Sequence, residues 1–320
     1  MDTGQPEVFT VVPSYNHAAF IGKCLRSIIG QTSAPRKLLV IDDGSTDGSP
    51  DVIANELRNC PFPSELIVRE NRGLCATLNQ ALSLADGKYF AYLGADDIWL
   101  PPFLEARSKM MDENAGAVLG YGHAYIVDEE DRVVTSTPEH GNSWANYHNG
   151  NAREMLLDAI SPISSTVFYR RSALENVAWN ESSRLEDFEM YIKLVTLGEF
   201  VFDPTILAAW REHTNNTSKD LEMMLGEVLR TQDRNISDLD VSREELDRRQ
   251  MKTRFRYARK LLQHGEKGEA LRLARSNWRG SESVTELAAF ALRMALPMKA
   301  VELKRKMDKR TPLKVRLDEK

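Results

Sequence analysis

The sequence predicts an α/β protein, with an open, mostly parallel sheet flanked by helices over residues 1–218 and an all-helical region over 219–320. Three observations carry this reading. Short apolar runs of strand length alternate through the first 125 residues with stretches whose apolar side chains recur every three or four positions. Acidic, glycine-bearing motifs stand directly after several of these runs, where the loops of such a sheet gather. Beyond about residue 219 only the helical period remains.

The strand-like runs are VFTVVP (8–13), KLLVID (37–42), ELIVR (65–69), KYFAYLG (88–94) and AVLGYG (117–122). Between them AAFIGKCLRSIIGQ, GSPDVIANELR, LCATLNQALSLADG and PFLEARSKMMDEN read as helices, with Gly87 as a C-cap and Pro102 near a helix start. Strand and helix in regular alternation imply crossover units covering both faces of the sheet. Residues 125–160 lose the rhythm, and a hairpin around VDEEDRVV followed by the polar loop EHGNSWANYHNGN is expected. ISSTVFYR (163–170) reads as a further strand, LEDFEMYIKLVTLG as a helix closed by Gly198, and EFVFD (199–203) as the last strand. The helical region contains EELDRRQMKTRFRYARKLLQHG, KGEALRLARSNW, SVTELAAFALRMAL and MKAVELKRKMDKR, which resemble stacked pairs without a fixed repeat period.

Composition narrows the function classes. With 320 residues, 42% hydrophobic and 28% charged, the chain can bury a sizeable core. No apolar run approaches the roughly 18 residues a membrane span needs, and MDTGQPEVF lacks a basic n-region and an apolar h-region, so a cytoplasmic location is expected. Cys24, Cys60 and Cys75 show neither metal spacing nor an even count, and read as small core residues. The net charge of −5 hides an asymmetry: residues 251–320 hold 19 Lys or Arg against 8 Asp or Glu, leaving 23 against 39 in residues 1–250. The two ends therefore face different partners.

PSYNHAAF follows the first run, DDGSTDGS the second and GADDIW the fourth. DDGSTD puts Asp42 and Asp43 at a sharp turn through Gly44, with Ser45 and Asp47 suited to capping the next helix; its carboxylates could instead accept hydrogen bonds from a nucleotide base or ribose. No GxGxxG follows the first run, and GxxxxGK with Ser or Thr is absent, so the nicotinamide and P-loop readings lose their main support. Asp96 and Asp97 cannot both be bare buried charges. They are either helix-capping acids before Pro101 and Pro102 or ligands for a divalent cation that holds a diphosphate. Glu186 and Asp187 open a helix, where the macrodipole favours negative charge and where one of them could act as a general base. In WREHTNNTS, Trp210 could anchor packing, while Arg211 and His213 alternate and could face one site, His213 as a structural residue or a metal ligand.

Taken in order and spacing, PSYNHAAFIGKCLRSIIGQT, DDGSTD, ENRGLCATLNQAL, ADD, LEDFEMYIKLVTLG and WREHTNNTS resemble the family 2 glycosyltransferases with the Rossmann-like GT-A fold, over residues 8 to about 218. The resemblance implies that Pro13, Tyr15 and Asp43 hold the base of a nucleotide diphosphate sugar, a UDP-sugar being favoured, with Arg72 along the nucleotide and Asp96 near the ribose or donor sugar. It implies that Asp97 ligates Mn²⁺ or Mg²⁺ bridging the phosphates, with His213 as an additional metal or phosphate contact, and that Asp187 is the base that deprotonates the acceptor. Glu186 and Arg211 are accessory candidates. Members invert the anomeric centre, and the acceptor is expected to be a glycan or a lipid-linked oligosaccharide in bacterial surface polysaccharide assembly. Where relatives carry glycines before the base helix, this chain has ENVAWNESSRLED, so Trp179 either stacks on an acceptor sugar or belongs to the core. The QxxRW motif of processive synthases is absent, which predicts one sugar per binding event.

The basic helices of 251–320 combine charge with apolar faces, as in Phe255, Ala258, Leu261 and Leu262 against Arg254, Arg256, Arg259 and Lys260. Such helices can lie on an anionic membrane at the inner face of the cell, pack on the acidic catalytic region, or form a homo-oligomer. No nucleic-acid motif is present, so no nucleic-acid partner is expected. A rival reading is a catalytically inactive nucleotide-sugar-binding adaptor acting through its helical tail; the intact Asp97, Asp187 and His213 argue against it. A sugar nucleotidyltransferase would need a glycine-rich phosphate loop after the first strand, and none is there.

Overall fold

A computed structural model describes residues 7–139, 152–214, 216–297 and 316–317. All but the first residue of EHGNSWANYHNGN, and all of MKAVELKRKMDKR, lie outside the described residues.

Four strands, β1 (Val8–Ser14), β2 (Lys37–Asp42), β3 (Ser64–Val68) and β4 (Tyr89–Tyr92), pair in parallel in the order β3-β2-β1-β4. The crossovers are the helices α1 (Ile21–Ile29), α2 (Ser49–Leu57) and α3 (Leu74–Leu84). The chain adds strands outward from β1 to β3 and then returns to the other side of β1, so the strand order reverses between β1 and β4. Loops leaving the carboxyl ends of these two strands diverge there and open a crevice. Strand alternation builds the two cores directly. Phe9, Val11, Leu39 and Ile41 face one layer with α3, while Val8, Val12, Leu38 and Val40 face the other with α1, as both faces of a covered sheet require.

The sheet continues through β5 (Ile98–Trp99) and, after α4 (Phe103–Glu113), through β6 (Ala117–Val127), β7 (Val133–Ser136), β8 (Phe168–Arg170) and β9 (Glu199–Arg211). β8 pairs antiparallel with both β4 and β6, β9 runs parallel to β6, and β5 pairs antiparallel with β9. The parallel half expected from the sequence is thus extended by a mixed half. The hairpin expected around VDEEDRVV is present between β6 and β7.

Three expected strands differ in extent, the first being AVLGYG, which runs on to Val127. ISSTVFYR opens with a 3₁₀ turn at Ser164–Thr166, where the Thr166 hydroxyl donates to Ile163 O (2.8 Å), and only its last residues join the sheet. EFVFD runs on through Pro204 to Arg211, because the register slips opposite Gly122 and His123 and the missing proline N–H falls at that irregularity. The helix of LEDFEMYIKLVTLG, α7 (Glu186–Leu194), ends at Val195 rather than at Gly198. Gly198 is instead a packing requirement, since a Cβ there would lie 2.6 Å from Val118 Cγ1.

The short helices α5 (Ala152–Leu157) and α6 (Arg171–Leu174) precede α7, and from residue 221 the described chain is helical: α8 (Leu221–Arg234), α9 (Ile236–Leu239), α10 (Arg243–His264), α11 (Lys267–Asn277) and α12 (Val284–Ala295). Ser242 caps α10 by accepting from Glu245 N–H, acidic residues fill its first turn, and Gly265 ends it at φ +93°. Val228, Leu239 and Leu246 belong to the same core cluster as β1 and α7, so packing continues across residue 218. Gln232 donates to Leu156 O and Leu157 O, and Arg249 pairs with Glu154 and Asp158. The apolar contacts among Phe255, Ala258, Leu261, Ala270 and Phe290 form a separate small core for α10 to α12. No described helix is long and apolar enough to cross a membrane.

Candidate active site

A cleft of about 1,850 Å³ opens over the carboxyl ends of β1 and β4. Pro13, Tyr15, His17, Asp43, Arg72, Asp96, Asp97, Glu186, Asp187 and His213 all line it.

The loops after β1 and β2 are tied together before they reach the cleft. Ser45 Oγ accepts from Asn16 N–H (2.8 Å), Asn16 Oδ1 accepts from Thr46 N–H (2.8 Å), and Asp47 accepts from Ala18 N–H (2.9 Å). Asp42 is fully buried and satisfied by Ser14 and Ser45, which makes it a structural anchor. Asp43 is also buried, but it faces the cleft. It accepts from the amides of Arg72 (3.0 Å) and Gly73 (2.7 Å) and pairs with Arg69 (2.8 Å), so its charge is held in place before any ligand arrives. Tyr15 keeps 48% of its surface exposed beside it, a free ring at the mouth.

The two aspartates of GADDIW part company. Asp97 is buried at 4% exposure and accepts from Arg211 N–H (2.9 Å). Burial first, and the neighbouring Asp96 charge second, push its carboxyl well above the usual range. Asp96 turns toward the opening, and its Oδ2 lies 2.9 Å from Nε2 of His213. His17 joins them, and the ligand atoms of His17, Asp96 and His213 lie within 4.8 Å of one another. Nδ1 of His17 is buried with no hydrogen-bond partner among the described residues, and a ring nitrogen so orphaned on a residue of this cluster fits a cation as a partner. Two imidazole nitrogens and one carboxylate make a donor set of intermediate softness, better matched to Mn²⁺ than to Mg²⁺. Phe20 stacks on His213 at 5.4 Å between ring centroids and fixes its plane.

Glu186 and Asp187 stand at the start of α7, each partly accessible from the cleft. Burial, with the Asp187 charge as second cause, raises Glu186 to about 8, and burial raises Asp187 to about 6. The buried hydroxyls of Tyr92, Tyr169 and Tyr191 surround them on the protein side; that of Tyr92 is close enough to favour the Glu186 charge without making a well-aligned hydrogen bond. A carboxylate that loses its proton near pH 6 can accept one from a hydroxyl at neutral pH.

Two accessory candidates are elsewhere. Arg211 is fully buried and turned away from the cleft, donating to Asp96 O (2.8 Å) and Asp128 O (2.7 Å) and pairing with Asp131 (2.6 Å), which Lys23 also contacts. It braces the ADD turn from behind. Trp179 is a core residue at 2% exposure, packed among Phe90, Tyr92 and Tyr169 while Asn79 holds its backbone, and it offers no face to a sugar. His17 was not singled out in the sequence; its only signal is a histidine in the loop after the first strand, four residues beyond Pro13.

A sequence model described as Glycosyl transferase family 2 matches residues 10–178. An uncharacterized glycosyltransferase of Nostoc sp. is 29% identical over 177 residues, covering 53% of each chain. Chondroitin synthase of Escherichia coli is 28% identical over 214 residues, covering 67% of this chain and 30% of that one. The chain therefore spans about half the length of the first relative and under a third of the second. Among solved structures, a mannosyltransferase from Pyrobaculum calidifontis in complex with GDP-Man and Mn²⁺ aligns at TM-score 0.65 and 17% identity, over 95% of this chain and 84% of that one. TarS of S. aureus in complex with UDP aligns at TM-score 0.58 and 19% identity, over 77% and 70%. At these identities the two structures attest the shared fold.

Proposed function

The chain belongs to glycosyl transferase family 2, and from that premise we propose that it is a metal-dependent, inverting glycosyltransferase that moves one sugar from a nucleoside diphosphate sugar, a UDP-sugar being favoured, to a glycan or lipid-linked acceptor in bacterial surface polysaccharide assembly. The observation that carries the reading is the meeting, in one cleft, of the His17, Asp96 and His213 cluster with Asp187, a carboxylate that ionises near pH 6.

Tyr15 and Pro13 take the nucleobase, Asp43 accepts from its edge or from the ribose, and Arg72 runs along the nucleotide. His17, Asp96 and His213 hold the divalent cation, with Mn²⁺ preferred over Mg²⁺; Asp97 supports the turn that presents Asp96. A cation bound there supplies charge neutralisation for a departing diphosphate. Asp187 takes the proton from the acceptor hydroxyl as that oxygen attacks the anomeric carbon, and a single displacement with the base opposite the leaving group inverts the centre. Glu186, protonated to about pH 8, keeps the pair at one negative charge and leaves Asp187 free to act as the base. The reaction so proposed takes place in the cytoplasm, at the inner face of the cell membrane. The packing of α8 and α10 on the catalytic layer favours a tail that belongs to the catalytic body, while membrane contact or self-association through 251–320 is supported by charge alone.

The test is a thermal-stabilisation panel of UDP, GDP and dTDP sugars with Mn²⁺ or Mg²⁺, followed by transfer assays on the donor that stabilises most. Stabilisation by a nucleotide sugar only when Mn²⁺ is present supports the reading. Absence of any metal-dependent stabilisation across the panel refutes it.

A further inference from the structure

One wall of the cleft comes from outside the sheet. α10 contributes Arg249, Lys252, Arg256 and Lys260 to the lining, at spacings of three, four and four, which is one stripe of a helix. These cations are not equivalent. Arg249 is neutralised by Glu154 (2.7 Å), Asp158 (2.6 Å) and Glu245 (2.8 Å), and serves to dock the helix. Arg256 donates to the carbonyl oxygens of Asp158 (2.7 Å) and Ala159 (3.1 Å), which fixes the guanidinium without cancelling its charge. Lys252 and Lys260 are exposed within the cleft, and among the described residues neither has a carboxylate at ion-pair distance. Lys260 instead lies over the ring of Tyr257 at 5.1 Å, a contact that orients the ammonium and leaves it charged. Desolvation first and the like charge of Arg256 second lower the Lys260 pKa, so an incoming anion relieves an existing tension.

Asp43, Asp96, Asp97, Glu186 and Asp187 reach the cleft from the sheet side, and this basic stripe comes from the helical region, where Asp220, Glu282 and Glu286 also reach the lining and Glu286 pairs with Arg259 rather than with the stripe. We propose that the stripe recognises the acceptor, and that the acceptor is an anionic glycan whose phosphate or carboxylate groups bind Lys252, Arg256 and Lys260 while its hydroxyl approaches Asp187. The inference rests on the glycosyltransferase reading, which assigns Asp43 and Asp96 to the donor and Asp187 to the acceptor hydroxyl. It gives the charge asymmetry of the chain a use: the basic end supplies a substrate contact to an acidic catalytic layer.

The experiment is a calorimetric titration of the full chain with three oligomers of equal length: a neutral chito-oligosaccharide, a uronate-containing oligosaccharide and a glycerol phosphate oligomer. Each is run with and without saturating UDP and Mn²⁺. At least one anionic oligomer is expected to bind about tenfold or more tighter than the neutral one at low salt, and to weaken as salt rises. Which of the two binds separates phosphate from carboxylate recognition. Lys252→Glu with Lys260→Glu should reduce the anionic affinity at least about tenfold and leave UDP affinity within about twofold; the milder Lys252→Gln with Lys260→Gln guards against a folding defect. Equal binding of neutral and anionic oligomers, or no effect of charge reversal, overturns the proposal. Displacement of the anionic oligomer by UDP also overturns it, because the anion would then occupy the donor site. So does charge reversal that releases the protein from phosphatidylglycerol vesicles while oligomer binding is unchanged, which would assign the stripe to a membrane. If UDP and Mn²⁺ fail to bind while the anionic oligomer binds, the donor assignment fails on its own.

Discussion

Replacing Asp187 with Asn should abolish transfer and at the same time stabilise the fold. The carboxyl ionises at about 6 in the folded chain against an ordinary value of 3.8, with burial as the first cause. Between those values the folded state holds a proton that the unfolded chain has released, so stability is greatest below the unfolded value and declines as pH rises toward 6. At about 1.36 kcal/mol per unit the full shift corresponds to about 3 kcal/mol; because the group is partly open to the cleft, solvent screening reduces the expected gain on neutralisation to about 1–3 kcal/mol. Asparagine is nearly isosteric and carries no charge, and it also removes the second cause of the elevated Glu186 value. Thermal unfolding of Asp187→Asn and wild type should therefore coincide near pH 4 and diverge up to about pH 6, with the variant melting a few degrees higher at pH 7.5. Transfer should fall by about 10²–10⁴ and Mn²⁺-dependent nucleotide binding should persist. A variant that is less stable at pH 7.5, or that transfers at the wild-type rate, would refute the reasoning.

Four further outcomes follow from the same geometry. In the wild type, transfer at saturating donor should rise with pH through about 6 as Asp187 loses its proton, and a rate profile that is flat from pH 5 to 7 contradicts that role. Asp96→Ala should weaken Mn²⁺-dependent UDP binding by about 100-fold with little change in melting temperature, whereas Asp97→Ala should strand the Arg211 N–H and cost about 1–3 kcal/mol in denaturant unfolding while metal binding persists. Arg211→Met should cost about 3–5 kcal/mol, because Asp131 and the carbonyls of Asp96 and Asp128 lose their buried donor; chemical denaturation reads this directly. Gly44→Ala should cost about 1–3 kcal/mol and lower UDP affinity, since φ there is +83° and a Cβ would sit 2.9 Å from Asn71 N, beside the loop that holds Asp43.

What could be read from the sequence divides along a physical line. The parallel half of the sheet was legible because its strands and crossover helices are local, each marked by its own period, and the motifs that follow β1, β2 and β4 necessarily gather at the reversal of strand order. The mixed half was less so. β8 contributes three residues to the sheet, and β9 continues through a proline that only the slipped partner strand can accommodate. The basic stripe of α10 was visible as charge, but its place on the cleft depends on Arg249 finding Glu154 and Asp158 far away in the chain. Trp179 read equally well as sugar platform or core, and only the surrounding Phe90, Tyr92 and Tyr169 decide it.

The pair in GADDIW shows most clearly where sequence reasoning ends. The two aspartates lie in a turn beyond the end of β4, closed by Asp97 N–H donating to Gly94 O (3.0 Å), and there one carboxylate is buried while the other faces the opening. Composition and order gave no sign of which, and the resemblance favoured Asp97 as the metal ligand. The deciding groups come from one remote segment. Arg211, at the end of β9, presents its backbone N–H to Asp97 and its guanidinium to Asp96 O, and thereby fixes the turn; His213, two residues on, then meets Asp96. Two residues apart in a continuous strand, Arg211 and His213 would share a face; β9 ends at Arg211, and the turn that follows lets Arg211 brace from behind while His213 reaches the cleft. In the reaction we propose, Asp96 is the metal ligand, and Asp97 and Arg211 are the buried pair that keeps it aimed at the cleft.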